Sequence, residues 1–214
     1  PPQNIKNRTL SLDLVLGEIE NVSVNKNELY SSERLIRPFK DLINKPAFIP
    51  SLESSLIEIN NYPGVSINTR FKEGDEIGKS KIDILIKKEH MSDFNFSFDN
   101  YGSEYTGSMR GTLSASFYNL TDHADRLSIN ALATFNPTNS VYLGANYGFK
   151  LAPYYNNPSL NNFFKHGVNV TFGYQETQYT VGGDFEGLNY KGKANTLYLQ
   201  IDKDLILRNS HKLN

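Results

Sequence analysis

Neither cysteine nor tryptophan occurs in this chain of 214 residues. Without Cys there is no disulfide framework and no thiolate metal site, an absence that suits an outer-membrane and a cytosolic protein equally. Charge of one sign is lacking too: 22 Lys and Arg against 23 Asp and Glu leave a net charge of -1. A protein that holds phosphate backbones leans on a basic excess, so nucleic acid is not an expected partner. No apolar run approaches the roughly 20 residues of a spanning helix, and the mean hydropathy is -0.48. This excludes a membrane helix but not a membrane, because the strands of a transmembrane barrel run only about 10 residues and alternate lipid-facing with lumen-facing side chains. An initiator Met and a signal peptide are also missing, since the chain opens at Pro1-Pro2; a processed protein or, preferably, a fragment is expected.

Arrangements that carry catalysis are equally scarce. His90, His123, His166 and His211 are scattered with no metal-ligand spacing. Asp202 and Asp204 share a face of an extended chain, as paired carboxylates do, but Lys203 and their polar surroundings point to a hydrated turn or lumen instead. Gly182-Gly183 has neither the strand-to-helix setting nor the Lys of a phosphate loop. Triplets of the Asn119 to Thr121 kind are expected by chance in so Asn-rich a chain. No catalytic residue, metal ligand or cofactor is expected.

What the chain does contain is organised around residues 93–107, DFNFSFDNYGSEYTG. Phe94, Phe96 and Phe98 alternate with Asn95, Ser97 and Asp99, which predicts a strand with one aromatic and one polar face. Asn100, Gly102, Ser103 and Gly107 then supply turn chemistry, and a second alternating run follows. The spacing predicts a β-hairpin.

Before this hairpin the periods are mixed. Leu12, Leu14 and Leu16 alternate, and Ile19, Val22 and Val24 continue past Gly17, which reads as one strand with a bulge at Gly17. Ser31 or Ser32 is a cap for a helix carrying Leu35, Ile36, Phe39 and Ile43, interrupted by Pro38. Ser51 is the expected N-cap of a second helix with Leu52, Leu56 and Ile59 on one stripe, ended by Asn60, Asn61, Pro63 and Gly64. Strands then run through Val65, Ile67, Thr69 and Phe71, and through Ile82, Ile84 and Ile86, with a turn from Glu73 to Gly78. The order β-α-α-β-β packs a helix pair on one face of a small sheet.

After the hairpin the helical period disappears. Alternating runs centre on Leu113 to Phe117, Leu127 to Phe135, Val141 to Phe149, Val168 to Tyr174 and Leu197 to Ile201. With Phe94 to Phe98 they make about six strands, joined by short turns at Thr121 to Asp125 and Asn136 to Asn139 into an antiparallel meander. One face is aliphatic and aromatic, the other Ser, Thr, Asn, Gln and Gly. A soluble sandwich would alternate as well. Sustained repetition without helices favours a membrane wall, as does Tyr near strand ends at Tyr101, Tyr105, Tyr142, Tyr154, Tyr155 and Tyr179, where an interfacial girdle would place it. A transmembrane barrel needs roughly eight strands or more, and an open edge in lipid leaves backbone groups unpaired. Further strands are therefore expected elsewhere.

A β-α-α-β-β module whose second helix ends in NNYPGVS, followed by an Asp-Asn-x-Gly-Ser-x-Tyr-Thr-Gly hairpin, resembles the TpsB transporters of two-partner secretion. Its most specific parts are Asn61, Pro63, Gly64 and Val65, then Phe98, Asp99, Asn100, Tyr101, Gly102, Tyr105, Thr106 and Gly107. The resemblance implies a linker over residues 1–9, an α+β POTRA domain over 10–90, and the N-terminal part of an incomplete antiparallel transmembrane β-barrel over 91–214. The family's first POTRA domain, plug helix, later strands and inward loop are not matched. The stretch from Pro153 to Lys165 is longer than the tight turn expected between those strands.

By the same resemblance, the protein would recognise an unfolded exoprotein of haemolysin or adhesin type in the periplasm and pass it through a pore in the bacterial outer membrane. Its partners would be that polypeptide and outer-membrane lipid. Recognition would use β-augmentation at an exposed sheet edge, placed at Val65, Ile67, Thr69 and Phe71; the alternative is a solvated edge guarded by Arg70 and Lys72. Asp99, Asn100, Gly102, Thr106 and Gly107 are turn chemistry on one reading and a seam or gate on the other. Two rival functions are a barrel-assembly factor of the same superfamily and a soluble β-sandwich binding module.

Overall fold

The computed structural model describes residues 16–25, 29–136, 140–151, 157–164 and 167–203. The first elements are β1 (Glu18–Asn25), α1 (Ser32–Ile36), a 3-10 segment (Arg37–Leu42), α2 (Ile49–Asn60), β2 (Val65–Glu73) and β3 (Lys79–Lys88). They form a three-stranded sheet in the order β1-β3-β2, with β3 parallel to β1 and antiparallel to β2. Helices cover one face. Ile19, Val22, Leu35, Phe39, Leu42, Ile59, Val65, Ile67, Ile82 and Ile84 fill the layer between.

Local chemistry explains the ends of these elements. Ser31 caps α1, its Oγ accepting from the Arg34 amide at 3.4 Å. Pro38 removes an amide from the helical ladder, and the chain tightens into the 3-10 segment, which still buries Phe39 and Leu42. Two expectations are corrected. The bulge in β1 lies at Glu20, between the paired Ile19 and Asn21, and not at Gly17. Ile19 and Val22 are three apart and would face opposite sides of a regular strand; the extra residue turns both into the core. The second helix begins at Ile49 with Phe48 in the cap position, so Ser51 is inside it. Pro50 is the reason, because its fixed φ and missing amide suit a first helical turn.

The remaining strands are β4 (Ser92–Asp99), β5 (Met109–Tyr118), β6 (Arg126–Phe135), β7 (Ser140–Leu151), β8 (Val168–Thr180) and β9 (Lys191–Asp202), with a short α3 (Pro158–Phe163) between β7 and β8. They pair in sequence order as a six-stranded antiparallel meander. Among the described residues β4 and β9 each pair on one side alone. Leu12, Leu14, Tyr154, Tyr155, His166, Asp204, His211 and the turn at 137–139 lie outside the described residues.

The register sorts the side chains. One cross-strand row runs Phe96, Leu113, Ala131, Leu143, and the next Phe94, Ala115, Ile129, Ala145, Tyr174, Leu197. These and their neighbours make an apolar face left open to the surroundings, with Phe96 72% and Leu197 83% exposed. The belt is oblique. On β4 it reaches Phe98, but the Phe98 row continues through Gly111, Ala133 and Val141 to Gln178 and Lys193, whereas on β8 the belt stops at Tyr174. A belt that crosses the register is the signature of strands tilted against a slab of hydrocarbon.

The opposite face is polar. It carries Ser114, Ser116, Ser128, Asn130, Thr134, Asn146, Thr171, Gln175 and Thr196. The tyrosine girdle is corrected in part. Tyr142 and Tyr179 fall on this polar face by strand parity, Tyr142 against Gly144 and Tyr179 over Gly192. Tyrosines covering glycines fill space that Gly leaves beside a strand, so these two are packing residues of the inner surface.

Candidate functional site

Three places combine unusual exposure or burial with defined chemistry: the edge at β2, the loop after β4, and the junction between the two sheets.

β2 is an outer strand of the three-stranded sheet, and its ladder with β3 runs from Val65–Lys88 to Glu73–Ser80. The other outer strand is partly covered. Ile43 and Pro46 bridge to β1, and the amides of Asn44 and Ala47 donate to the carbonyls of Ile19 and Gly17 at 2.8 and 2.7 Å. No such cover lies along β2 among the described residues. Of the residues expected to bind there, Val65 and Ile67 turn their side chains into the core, Thr69 is half-buried, and Phe71 is exposed. Only the backbone of the first two is left for a partner. Lys72 pairs with Asp83 on β3, and the Ser23 hydroxyl donates to the same carboxylate. The Lys72 and Ser23 hydrogen bonds hold the Asp83 carboxyl below the usual carboxylate range.

The loop after β4 is folded tightly. Asp99 Oδ1 accepts from Arg110 Nε at 2.8 Å and from the Tyr101 amide at 2.9 Å. The Gly102 amide donates to the Ser108 carbonyl at 3.0 Å, and Ser103 bridges to Gly107, which takes φ +107. The loop is also tied to its neighbours. The Thr106 carbonyl accepts from Thr134 Oγ1 at 2.7 Å and Ser140 Oγ at 3.1 Å, both on the polar face. The Gly182 amide donates to the Tyr105 carbonyl at 2.7 Å, and the Tyr105 and Phe185 rings sit 5.4 Å apart. Loops β4–β5 and β8–β9 thus meet across the β6–β7 pair. They meet on the side of the polar face, where Thr134 and Ser140 bond the Thr106 carbonyl.

At the other end the β5–β6 turn rests on the helical module. Asp125, fully buried, accepts from the Leu120 and Thr121 amides and Thr121 Oγ1, each at 3.0 Å, and from the His123 amide at 3.3 Å. Burial alone would raise its pKa, but the Thr121, His123 and Leu120 hydrogen bonds outweigh it and hold the carboxyl below its ordinary value. Asn119 Nδ2 reaches the Leu29 carbonyl at 2.6 Å, and the Ser31 amide donates to Asp122 at 3.2 Å. Behind them Tyr30 donates to the Pro63 carbonyl at 2.7 Å and its ring lies 5.1 Å from that of Tyr62. Burial raises both phenols far above their usual range.

The family comparison bears on the loop after β4 and on the six-stranded sheet. Residues 78–214 match the family described as haemolysin secretion/activation protein ShlB/FhaC/HecB. The chain belongs to that family. The resemblance to TpsB transporters carried by the hairpin and the NNYPGVS segment is borne out. Among curated relatives, the heme/hemopexin transporter protein HuxB of Haemophilus influenzae (strain 86-028NP) is 26% identical over 199 residues, covering 92% of this chain and 33% of its own length. The chain spans about a third of the length of that relative. CdiB from Acinetobacter baumannii superposes with TM-score 0.61 at 17% identity, over 91% of this chain and 35% of that one. CdiB from Escherichia coli gives 0.60 at 16%, over 85% and 31%. BamA from Haemophilus ducreyi lacking POTRA domains 1-3 gives 0.61 at 13%, over 86% and 32%. At these identities the three structures speak for the fold.

Within this chain, the hairpin residues Asp99, Asn100, Gly102, Thr106 and Gly107 are brought together at one end of the six-stranded sheet, and the β2 residues lie in the three-stranded one. His90 and His123 are far apart in sequence and no group of three or more His, Asp or Glu side chains fit to hold a metal ion occurs among the described residues. Sequence reasoning missed the junction. Its only signals were Glu58 interrupting the stripe of α2 and Lys150 on a strand otherwise without charge.

Proposed function

We propose that this chain is the portion of an outer-membrane two-partner secretion transporter in which a periplasmic POTRA domain hands an unfolded exoprotein to the barrel. The observation that supports it most is the oblique, exposed apolar belt on a sheet whose other face is polar: a wall for lipid on one side and an aqueous path on the other. A soluble sandwich would cover that belt with a second sheet. The TM-score to BamA equals that to CdiB from Acinetobacter baumannii, but the family match over residues 78–214 favours secretion over barrel assembly.

Capture is proposed at the free edge of β2. An extended segment of the exoprotein adds a strand there through backbone hydrogen bonds, which accept many sequences, while Phe71 offers an exposed ring to alternate side chains. No nucleotide or cofactor enters this scheme. The test places a photoreactive residue at Asn68 on β2, or at Asn21 on β1, in the full-length transporter co-produced with its exoprotein. Crosslinks from position 68 and few from 21 are expected, and equal yields would remove the edge from the mechanism. Detergent dependence of residues 91–214 tests the wall: a cooperative fold in plain buffer would sink the membrane reading.

A further inference from the structure

Glu58 stands in the last turn of α2 with no solvent exposure, and two cations approach it. Arg37 Nη2 from the 3-10 segment is 3.7 Å away, and Lys150 Nζ is 3.3 Å away. Lys150 belongs to β7 of the other sheet and is itself buried. The path of its side chain is cleared at each step. Its amide donates to the His123 carbonyl at 2.9 Å. A Cβ on Gly167, which adopts φ +74, would stand 2.5 Å from Lys150 Cε and 3.0 Å from Cγ. The ammonium ends 5.5 Å from the centre of the Tyr62 ring.

Two charges taken out of water hold together only where geometry and surrounding polar groups favour it, and removing one partner strands the other. Other polar links between the sheets include the part-buried bond of Asn119 Nδ2 to the Leu29 carbonyl and the exposed contact of Asp122 with the Ser31 amide, neither of them an ion pair. We propose that Glu58 and Lys150 form an orientation latch, a desolvated ion pair that fixes the helical module at one angle to the six-stranded sheet. Because α2 passes through residues 61–64 directly into β2, the latch also holds the free β2 edge in a set direction relative to the polar face of the six-stranded sheet. Glu58 and Lys150 are positioning residues in this role. The last step rests on the secretion reading; the fixed angle does not.

The experiment measures spin-label distances between Asn68→Cys on β2 and Asn195→Cys on β9 in the full-length protein, without exoprotein. The unaltered pair is expected to give one narrow distance. Lys150→Met, which keeps the apolar stem, and Glu58→Gln are each expected to lose it to a broad distribution, and the double variant to be no broader than either single one, since each removes the same interaction. Asp122→Ala is expected to leave the narrow distance in place. Heat-modifiable migration in gels shows that the barrel has folded in each case. Should Lys150→Met block folding, Lys150→Gln carries the test, because it keeps a polar end on a shorter stem and removes the charge. A narrow distance in folded Lys150→Met or Lys150→Gln, or broadening that adds in the double variant, would overturn the latch. Secretion, assayed separately, can fail while the distances hold, so the two readings part cleanly.

Discussion

The carbonyl oxygen of Gly107 lies 2.0 Å from the point a Cβ on Gly102 would occupy, with the Ser108 carbonyl at 2.8 Å on the other side. Both obstacles are backbone, and the Gly102 amide is itself bonded to Ser108, so the loop cannot yield without opening. Gly173 offers the contrast. A Cβ there would meet Tyr198 Cζ at 2.1 Å, but that ring is the far end of a side chain that can swing toward the lumen. We expect Gly102→Ala to destabilise the folded sheet by about 1–3 kcal/mol, the usual range for overpacking, and to release Tyr105 from Phe185. Gly173→Ala is expected to cost less. Thermal loss of heat-modifiable migration compares the two.

Asp125 closes the turn that touches the module. Asp125→Asn places an amide nitrogen where four hydrogen-bond donors now converge on two carboxylate oxygens, and Asn can accept at one of them only. A buried donor left unsatisfied costs about 1–3 kcal/mol. A lower melting temperature is expected, and the Leu120 amide, which alone bonds the second carboxylate oxygen, should exchange with deuterium faster. Unchanged protection of that amide would show that the turn stands without the carboxylate.

The alternation of Phe94 to Phe98, Leu113 to Phe117 and Val141 to Phe149 made the meander readable before any coordinates, because a strand's period of two is written directly in its side chains. The β-α-α-β-β order was readable for the same reason. What stayed hidden depends on pairs distant in the chain. Periodicity cannot say that β3 inserts between β1 and β2, that Tyr179 covers Gly192 of the next strand, or that Lys150 finds Glu58 across 92 positions of sequence. A buried charge has the same letter as a solvated one.

The belt predicts a sharp asymmetry between neighbours on β9. Leu199 pairs with Phe172 on the apolar face, and Gln200 pairs with Thr171 on the polar one. Leu199→Arg sets a charge against lipid, at about 2–4 kcal/mol near the midplane of a bilayer. Gln200→Arg keeps its charge in water. Insertion into vesicles, followed by protease protection, should fall for the first and hold for the second. Equal insertion would mean that the exposed apolar face does not meet lipid.

Acid should loosen the module through Asp83 and Asp75. Lys72 and Ser23 hold Asp83 low, and the Lys81 ammonium does the same for Asp75. Both carboxyls are therefore more acidic folded than unfolded, where an Asp titrates at about 3.9. A depressed folded value means that the charged form is favoured by folding, so the stabilisation is complete above the unfolded value and is lost as pH falls through the folded one. Melting of the full-length protein's module, followed by circular dichroism between neutral pH and pH about 2, should show this decline. Asp83→Asn removes the titrating group and should flatten the decline while lowering stability at neutral pH. A slope unchanged by that substitution would remove Asp83 from the acid response and leave Asp75 as the first candidate.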